Sequence, residues 1–359
     1  MLPRIKVLSA YHAQSHNYWY NRLTELPFEW SLSKLEARYF SWRSRGNPLS
    51  YLDTLDNFED YSLVLSTSMV DLACLKGLFP TLHQKPCLLY FHENQFAYPS
   101  HQQKGILEAQ ITSIYSALTA DSIAFNSEFN RQSFLDGVDR FIKKMPDCKP
   151  RNLRSRIEQK SRVIPVPIKE VEVKQKTQRE TPIRILWNHR WEYDKGPELL
   201  EAILKRLKEL QVDFSISIVG QQFRSQPEAF KRIKNQFHEN IRHWGFIESR
   251  KAYEELLWES QVVLSTAAHD FQGISVLEAI AHQCYPVAPK ALVYPEYLGS
   301  EYLYTSTESL DETAQNAVDT MLNLNMEHAP PQVPSCQCKH VFPQYYEWIS
   351  EFIPIKHPV

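Results

Sequence analysis

A chain of 359 residues, 43 % hydrophobic and 23 % charged, is long enough for two domains and too apolar for wholesale disorder. Forty Lys and Arg against 42 Asp and Glu leave a formal charge of −2. That balance excludes a protein that coats nucleic acid by charge alone, yet allows a local basic patch. No apolar run approaches the ~18–20 residues that span a bilayer, and the opening MLPRIKVLSA reads as a first strand rather than a signal-peptide core. The six cysteines, Cys74, Cys87, Cys148, Cys284, Cys336 and Cys338, fall on unrelated segments. They read as free thiols of a cytoplasmic protein.

Strands are predicted at Ile5–Ser9, Tyr61–Ser66, Cys87–Phe91 and Asp121–Phe125, with helical patterns near His16–Leu26, Met69–Leu78, Gly105–Leu118 and Glu128–Leu135. Such alternation argues for a mostly parallel sheet covered on both faces. Residues 169–182, KEVEVKQKTQRETP, are charged, poor in large apolar groups and closed by a proline, which reads as an interdomain linker. Alternation restarts with strand Ile183–Trp187 and a helix entered at Pro197, whose apolar face is Leu199, Leu200, Ile203, Leu204, Leu207 and Leu210. Strands Phe214–Val219, Val262–Ser265 and Tyr285–Ala288 follow, and FPQYYEWISEF ends the chain as an aromatic amphipathic helix. The expected organisation is an N-terminal domain 1–168, the linker, a C-terminal domain 183–335, and a helical tail 336–359 packing back on the first domain. Two open parallel sheets facing each other place ligands in a cleft, beyond the carboxyl ends of the strands.

Four groups of residues carry chemistry. In AHDFQGISVLEAIAHQ, Asp270 and Glu278 are separated by seven residues, with Gly273 at a helix start. Free N–H groups and the positive end of the dipole suit phosphate or sugar hydroxyls there, and Glu278 is placed to accept the hydroxyls of a ribose. An ordinary amphipathic helix with an acidic first turn has the same pattern. Arg190 and Lys195, beyond the strand IRILW, form either a diphosphate clamp or a solvated cationic loop. His92 and Glu93 end the strand CLLYF; the histidine is expected to point into the cleft rather than into the sheet, to orient a sugar or shield developing positive charge, or else to be a satisfied structural residue. The segment 141–162 holds eight Lys/Arg and two Asp/Glu, a net +6. With Trp42, Arg43 and Arg45 it suits an RNA footprint with a stacking aromatic; the alternative is a solvated basic loop. Cys336-Gln-Cys338-Lys-His340 is too compressed for a zinc site, and no metal is expected.

Together, the cationic clamp and the acid-x7-acid element about 80 residues later make the chain resemble the family 4 glycosyltransferases of the GT-B fold. Gly220 in SISIVG and Gly245-Phe246 in HWGFI fall where that family places a donor-contacting glycine and the backbone that meets the nucleobase. A narrower resemblance is to the tRNA-queuosine mannosyltransferase family. It rests on YFHENQFAYP, LTADSIAFNSEFNRQSFL, FIKKMPDCKP, Ser15-His16, FSWRSR and CYPVAPKALVYPE. The chain departs from that pattern at Ala13-Gln14, where glycines are usual, and at Asp270, where glutamate is usual.

The resemblance implies an enzyme moving mannose, with retention, from GDP-mannose to the cyclopentene-diol of queuosine at position 34 of a tRNA of the tRNA-Asp type. It gives Arg190 and Lys195 the diphosphate, Glu278 the ribose, and Asp270 with the backbone of Phe271, Gln272, Gly273 and Ile274 the sugar. His92 would sit beside the reacting centre, and Ser15 and His16 at the donor. Trp42, Arg43, Arg45, Glu93, Asn94, Asn126, Lys143, Lys144, Arg151 and Arg154 would hold the tRNA. No cofactor, metal, membrane or obligate protein partner is implied. The rival readings are a family 4 enzyme with a small-molecule, lipid or glycan acceptor, and a non-catalytic RNA-binding protein on the same scaffold. Retention of Arg190, Lys195 and Glu278 together argues against the second.

Overall fold

The computed structural model describes residues 2–55, 57–97, 105–172, 181–223 and 225–353. The chain divides into two compact units. One comprises Met1–Pro167 and Lys339–Val359, the other Ile168–Cys338. Residues 173–180 of the expected linker lie outside the described residues.

The first unit runs β1 (Arg4–His12), α1 (Gln14–Leu23), β2 (Glu29–Glu36), α2 (Phe40–Tyr51), β3 (Leu63–Thr67), α3 (Leu72–Leu78), β4 (Cys87–Phe91), α4 (Ile106–Thr119), β5 (Ser122–Phe125), α5 (Glu128–Lys144), α6 (Leu153–Glu158) and β6 (Ser161–Val163). Its sheet has the order β2-β1-β3-β4-β5-β6, and every neighbouring pair is parallel. β3, β4 and β5 are buried along their whole length, as strands covered on both faces must be. Leu8, Val64, Leu89, Phe91, Ile123, Phe125 and Phe134 belong to the core under the helices.

The second unit runs β7 (Ile183–Trp187), α7 (Pro197–Glu209), β8 (Phe214–Val219), α8 (Glu228–Gln236), β9 (Ile241–Gly245), α9 (Arg250–Glu259), β10 (Val262–Leu264), α10 (Ile274–Ala281), β11 (Tyr285–Pro289), β12 (Leu303–Tyr304) and α11 (Leu310–Leu322). The sheet order is β12-β11-β10-β7-β8-β9, again parallel throughout. Pro197 starts α7, where the missing N–H is harmless, and Leu200, Ile203, Leu204 and Leu207 are buried. The order reverses beside β7 and β10. The loops after those two strands hold Arg190, Lys195 and Asp270, where open α/β sheets bind ligands.

The last helix, α12 (Cys338–Ser350), belongs to the first unit from Lys339 onward. It buries Val341, Tyr345, Trp348 and Ile349. The Trp348 indole N–H donates to Ser122 Oγ at 2.9 Å, and Tyr346 stacks on Phe28 with ring centroids 5.5 Å apart.

The basic segment 141–162 is not a single loop. It comprises the end of α5, a connection, α6 and β6, and four of its eight cations are engaged within the unit. Arg154 donates to Asp136 and Asp139 at 2.7 and 3.0 Å. Lys160 donates to the carbonyls of Leu118 and Ala120, and Arg162 holds Glu351 through two hydrogen bonds of 2.8 Å. Lys149 donates to the Lys143 carbonyl at 2.7 Å, and Lys143, Lys144, Arg151 and Arg156 are exposed.

Candidate active site

In the second unit the loops after β7 and β10 are joined at every turn. The Trp187 indole donates to Thr266 Oγ1 at 2.9 Å, Thr266 donates to the Lys195 carbonyl at 2.7 Å, and Ala268 N–H donates to the Asp194 carbonyl at 2.9 Å. The buried Lys195 ammonium donates to the His269 carbonyl at 2.6 Å and lies 3.3 Å from Asp194 Oδ2. Arg190 pairs with Glu192 at 2.9 Å and reaches the same Asp194 oxygen at 3.9 Å. The two expected clamp cations therefore converge on Asp194, a residue that sequence reasoning did not single out.

Asp270 is held from two directions. The Tyr294 hydroxyl donates to Oδ2 at 3.0 Å, and Oδ1 accepts the N–H of Gly273 at 3.2 Å. Because Tyr294 gives its proton to Asp270, it accepts from Ser265 at 2.7 Å, making a directional chain from β10 to the carboxylate. Burial pushes the Asp270 carboxyl up, but Lys195, His189 and the Tyr294 hydrogen bond outweigh it and hold the group below the usual carboxylate range. His189 and His269 are both driven down to about 4, first by burial and next by Lys195. At neutral pH the site thus combines a cationic lysine, an ionised aspartate and two neutral imidazoles.

Phe271 and Gln272 are buried; the phenyl ring meets His269 edge-on, and the Gln272 carbonyl accepts from Tyr297 at 3.1 Å. Gly273 (φ 70°) and Ile274 open α10, which leaves the first N–H groups of that helix available to a ligand. Glu278, one turn into α10, is paired with Arg250 of α9 at 2.8 Å. Arg250 also bonds Glu254 at 2.8 Å, and its pKa is raised because Glu278 and Glu254 outweigh burial. The expected ribose acceptor is therefore already oriented by a cation that sequence reading missed.

Gly220 ends β8 at φ 150°, and a Cβ there would lie 1.9 Å from the His189 carbonyl oxygen, so any side chain would force the β7 and β8 loops apart. Gly245 ends β9, its carbonyl accepting the Gly220 N–H at 3.2 Å, and the next side chain, Phe246, is 50 % exposed.

The first unit places its motifs differently from expectation. Asn94 donates to the Asn130 carbonyl and Oδ1 and to Ser133 Oγ, and accepts from the backbone of Phe96 and Ala97. Asn126 donates to the His92 carbonyl at 2.9 Å and accepts from Asn130 at 2.8 Å; Asn130 also donates to the Phe91 carbonyl at 3.0 Å. Asn94 and Asn126, assigned from sequence to the acceptor, form a clasp that fixes the end of β4 to the start of α5. Their side-chain groups are satisfied by backbone that would otherwise be buried unpaired. Glu93 is half-buried at the same loop, and Tyr98 and Pro99 of the motif lie outside the described residues.

His92 is buried. The buried face of α1, with His16, Trp19 and Leu23, covers the end of β4. His92 is enclosed by His16 at 4.1 Å between ring centroids, and by Trp19 and Tyr90 at 4.7 Å each. Both its ring nitrogens are sealed from solvent and make no hydrogen bond. Burial, aided by His16 and His12, holds its pKa well below the ordinary 6.5, so it is neutral. The hydroxyl of the exposed Ser15 lies 3.5 Å from His16 Nδ1.

Around α2, Arg43 bonds Ser50 at 3.0 Å and Arg45 pairs with the buried Asp71 at 2.6 Å, while Trp42 is 52 % exposed. Among the described residues no group of three or more His, Cys, Asp or Glu is placed to hold a metal ion, and no helix is long and apolar enough to cross a membrane.

Solved structures share this architecture. An Anabaena protein, HepE, crystallised with UDP, matches 97 % of this chain and 100 % of its own at 12 % identity and a TM-score of 0.66. A glycosyltransferase from Rickettsia africae matches 99 % of this chain and 100 % of its own at 13 % identity and a TM-score of 0.65. The fold is GT-B, and residues 168–329 match the family model for glycosyl transferases group 1. The chain is a glycosyltransferase. Residues 4–168 match the family model described as tRNA-queuosine alpha-mannosyltransferase N-terminal. The Drosophila melanogaster tRNA-queuosine alpha-mannosyltransferase is 35 % identical over 327 residues, covering 88 % of this chain and 86 % of that protein. The chain belongs to the tRNA-queuosine alpha-mannosyltransferase family.

Proposed function

We propose that the protein transfers mannose from GDP-mannose to the cyclopentene-diol of queuosine at position 34 of a tRNA of the tRNA-Asp type, with retention of configuration. The observation that carries this reading is the 35 % identity across both units to a protein of that name. The second unit takes the donor: Glu278 the ribose, Arg190, Lys195 and the start of α10 the diphosphate, and Asp270 with the Phe271–Ile274 backbone the sugar. As the bond from the anomeric carbon to the diphosphate breaks, the growing negative charge meets Lys195, Arg190 and the helix N–H groups, already fixed before the reaction begins. No metal is needed for that step. The adjacent His16 and His92 are assigned to the transferred sugar, with Ser15 beside them. Trp42, Arg43, Arg45, Glu93 and the exposed Lys143, Lys144 and Arg151 are assigned to the tRNA, and the protein acts in the cytoplasm.

The test is incubation of the purified protein with GDP-mannose and tRNA that carries or lacks queuosine, followed by nucleoside mass spectrometry. Mannosylated queuosine should form only with the modified tRNA. Hexose transfer to another acceptor in preference, or none from any nucleotide sugar, would overturn the reading.

A further inference from the structure

The His92 cage is anchored from the far end of the chain. The Trp19 indole N–H donates to the Tyr345 hydroxyl at 2.9 Å, and both groups are buried. The Tyr345 ring packs against Tyr90 with centroids 5.8 Å apart, and the Tyr90 hydroxyl donates to the Ile164 carbonyl at 2.8 Å. Trp19 also stacks on Tyr90, with centroids 4.8 Å apart and planes 18° from parallel. These two rings are the walls that meet His92 edge-on, at 86° and 68°. A ring with no side-chain hydrogen bond of its own is oriented by the rings packed round it, Trp19, Tyr90 and His16, and of these Trp19 is bonded to Tyr345.

We infer that Tyr345 of α12 is a positioning residue for the transfer reaction, fixing His92, and through it His16, by way of Trp19 and Tyr90. The inference rests on the reading above that His16 and His92 meet the transferred sugar. Tyr345 and Trp19 touch no substrate; their action is on the His92 rotamer and on the exclusion of water from it. Removing the Tyr345 hydroxyl leaves the Trp19 N–H buried without an acceptor, and the indole must turn to find one. The wall then opens and His92 loses its fixed orientation.

The same helix supplies a control. Trp348, one turn further along α12, also donates a buried indole N–H, but to Ser122 of β5; its ring lies 6.3 Å from Tyr345 and 6.4 Å from Tyr90 between centroids, packing that a phenyl ring keeps in part. Tyr345→Phe and Trp348→Phe each remove one buried hydrogen bond from one helix, and only the first should reach the site. The experiment compares these two and Trp19→Phe by thermal melting, by kcat and KM for donor and tRNA, and by the NMR titration of His92 in histidine-labelled protein. Tyr345→Phe and Trp19→Phe should lower kcat on the order of tenfold, since misplacement by about 1 Å costs up to ~10²-fold, with both KM values little changed. His92 should titrate closer to the ordinary imidazole value in both, as water reaches the ring. Trp348→Phe should lose stability with kcat and the His92 titration intact.

The inference fails if Tyr345→Phe retains wild-type kcat and His92 titration, or if Trp348→Phe lowers kcat equally. The titration needs no substrate, so a protein that transfers no mannose would remove the proposed function while the NMR comparison still decided the coupling.

Discussion

Trp42 lies with its indole flat against Gly46, one turn further along α2: a Cβ at Gly46 would stand 2.6, 2.7 and 2.8 Å from three indole carbons. The missing side chain makes room for the aromatic ring, and Trp42 is 52 % exposed. In the proposed function the ring stacks an unpaired base. Gly46→Ala should therefore displace Trp42 without removing any contact atom. Helix propensity favours alanine by about 1 kcal/mol, so the melting temperature should hold or rise. Affinity for tRNA should nonetheless fall about fivefold or more, towards the ~1–3 kcal/mol that a stacked base contributes. Unchanged tRNA binding would show that Trp42 is not a platform.

Charge neutralisation should separate the exposed cations from the engaged ones. Replacing Lys143, Lys144 and Arg151 by glutamine should weaken tRNA binding and flatten its salt dependence, because each phosphate contact releases counterions. Arg154→Gln breaks its bonds to Asp136 and Asp139 and should lower stability while leaving the salt slope alone. Binding isotherms at three salt concentrations distinguish the two. A steeper loss from Arg154→Gln than from the triple variant would reverse the assignment.

The donor loops make a kinetic prediction. Lys195→Ala should reduce transfer about 10²–10³-fold, the usual loss when a preorganised charge partner of a developing anion is removed. It should also raise the pKa of His189 and His269, since Lys195 is a named cause of their depression. Glu278→Gln should weaken free GDP by about 1–3 kcal/mol, whereas Asp270→Asn should act more on GDP-mannose than on GDP. Calorimetry with both ligands decides; equal effects of the two variants on free GDP would contradict the division of roles.

Stability should depend on pH through the same histidines. His189 and His269 titrate near 4 in the folded chain against an ordinary 6.5. Between those values the unfolded chain binds protons that the folded chain excludes, so folding is favoured fully above pH 6.5 and loses ground as pH falls towards 4. The slope approaches ~1.4 kcal/mol per pH unit for each histidine. Asp270, whose folded pKa is lowered, weakens folding only at more acid pH, as its carboxylate protonates. Urea midpoints at pH 7.5, 6 and 5 should fall in order, and His189→Gln should flatten the decline; a flat wild-type profile would refute the account.

The amino-acid sequence by itself determined the eight inner strands, the start of α7 and the position of the acid-x7-acid element. β3, β4, β5 and β10 are covered on both faces, and solvent exclusion writes them as unbroken apolar runs. The four edge strands escaped that signal. β2 reads EWSLSKLE and β9 IRHWG, half exposed and charged, while β6 and β12 are only three and two residues long. Edges carry polar residues because an apolar edge would recruit another chain, so only pairing with β1, β5, β8 and β11 identifies them. Side-chain roles divided the same way. The sequence placed Lys195 and Asp270 in loops after strands, because short local connections carry them there. Tertiary packing decided that Asn94 and Asn126 clasp backbone, that Arg154 is engaged, that Arg250 holds Glu278, and that Tyr345 supports Trp19 across 326 positions of chain. A hydrogen bond depends on where two groups meet in space, and no periodicity in the chain records a partner that far away.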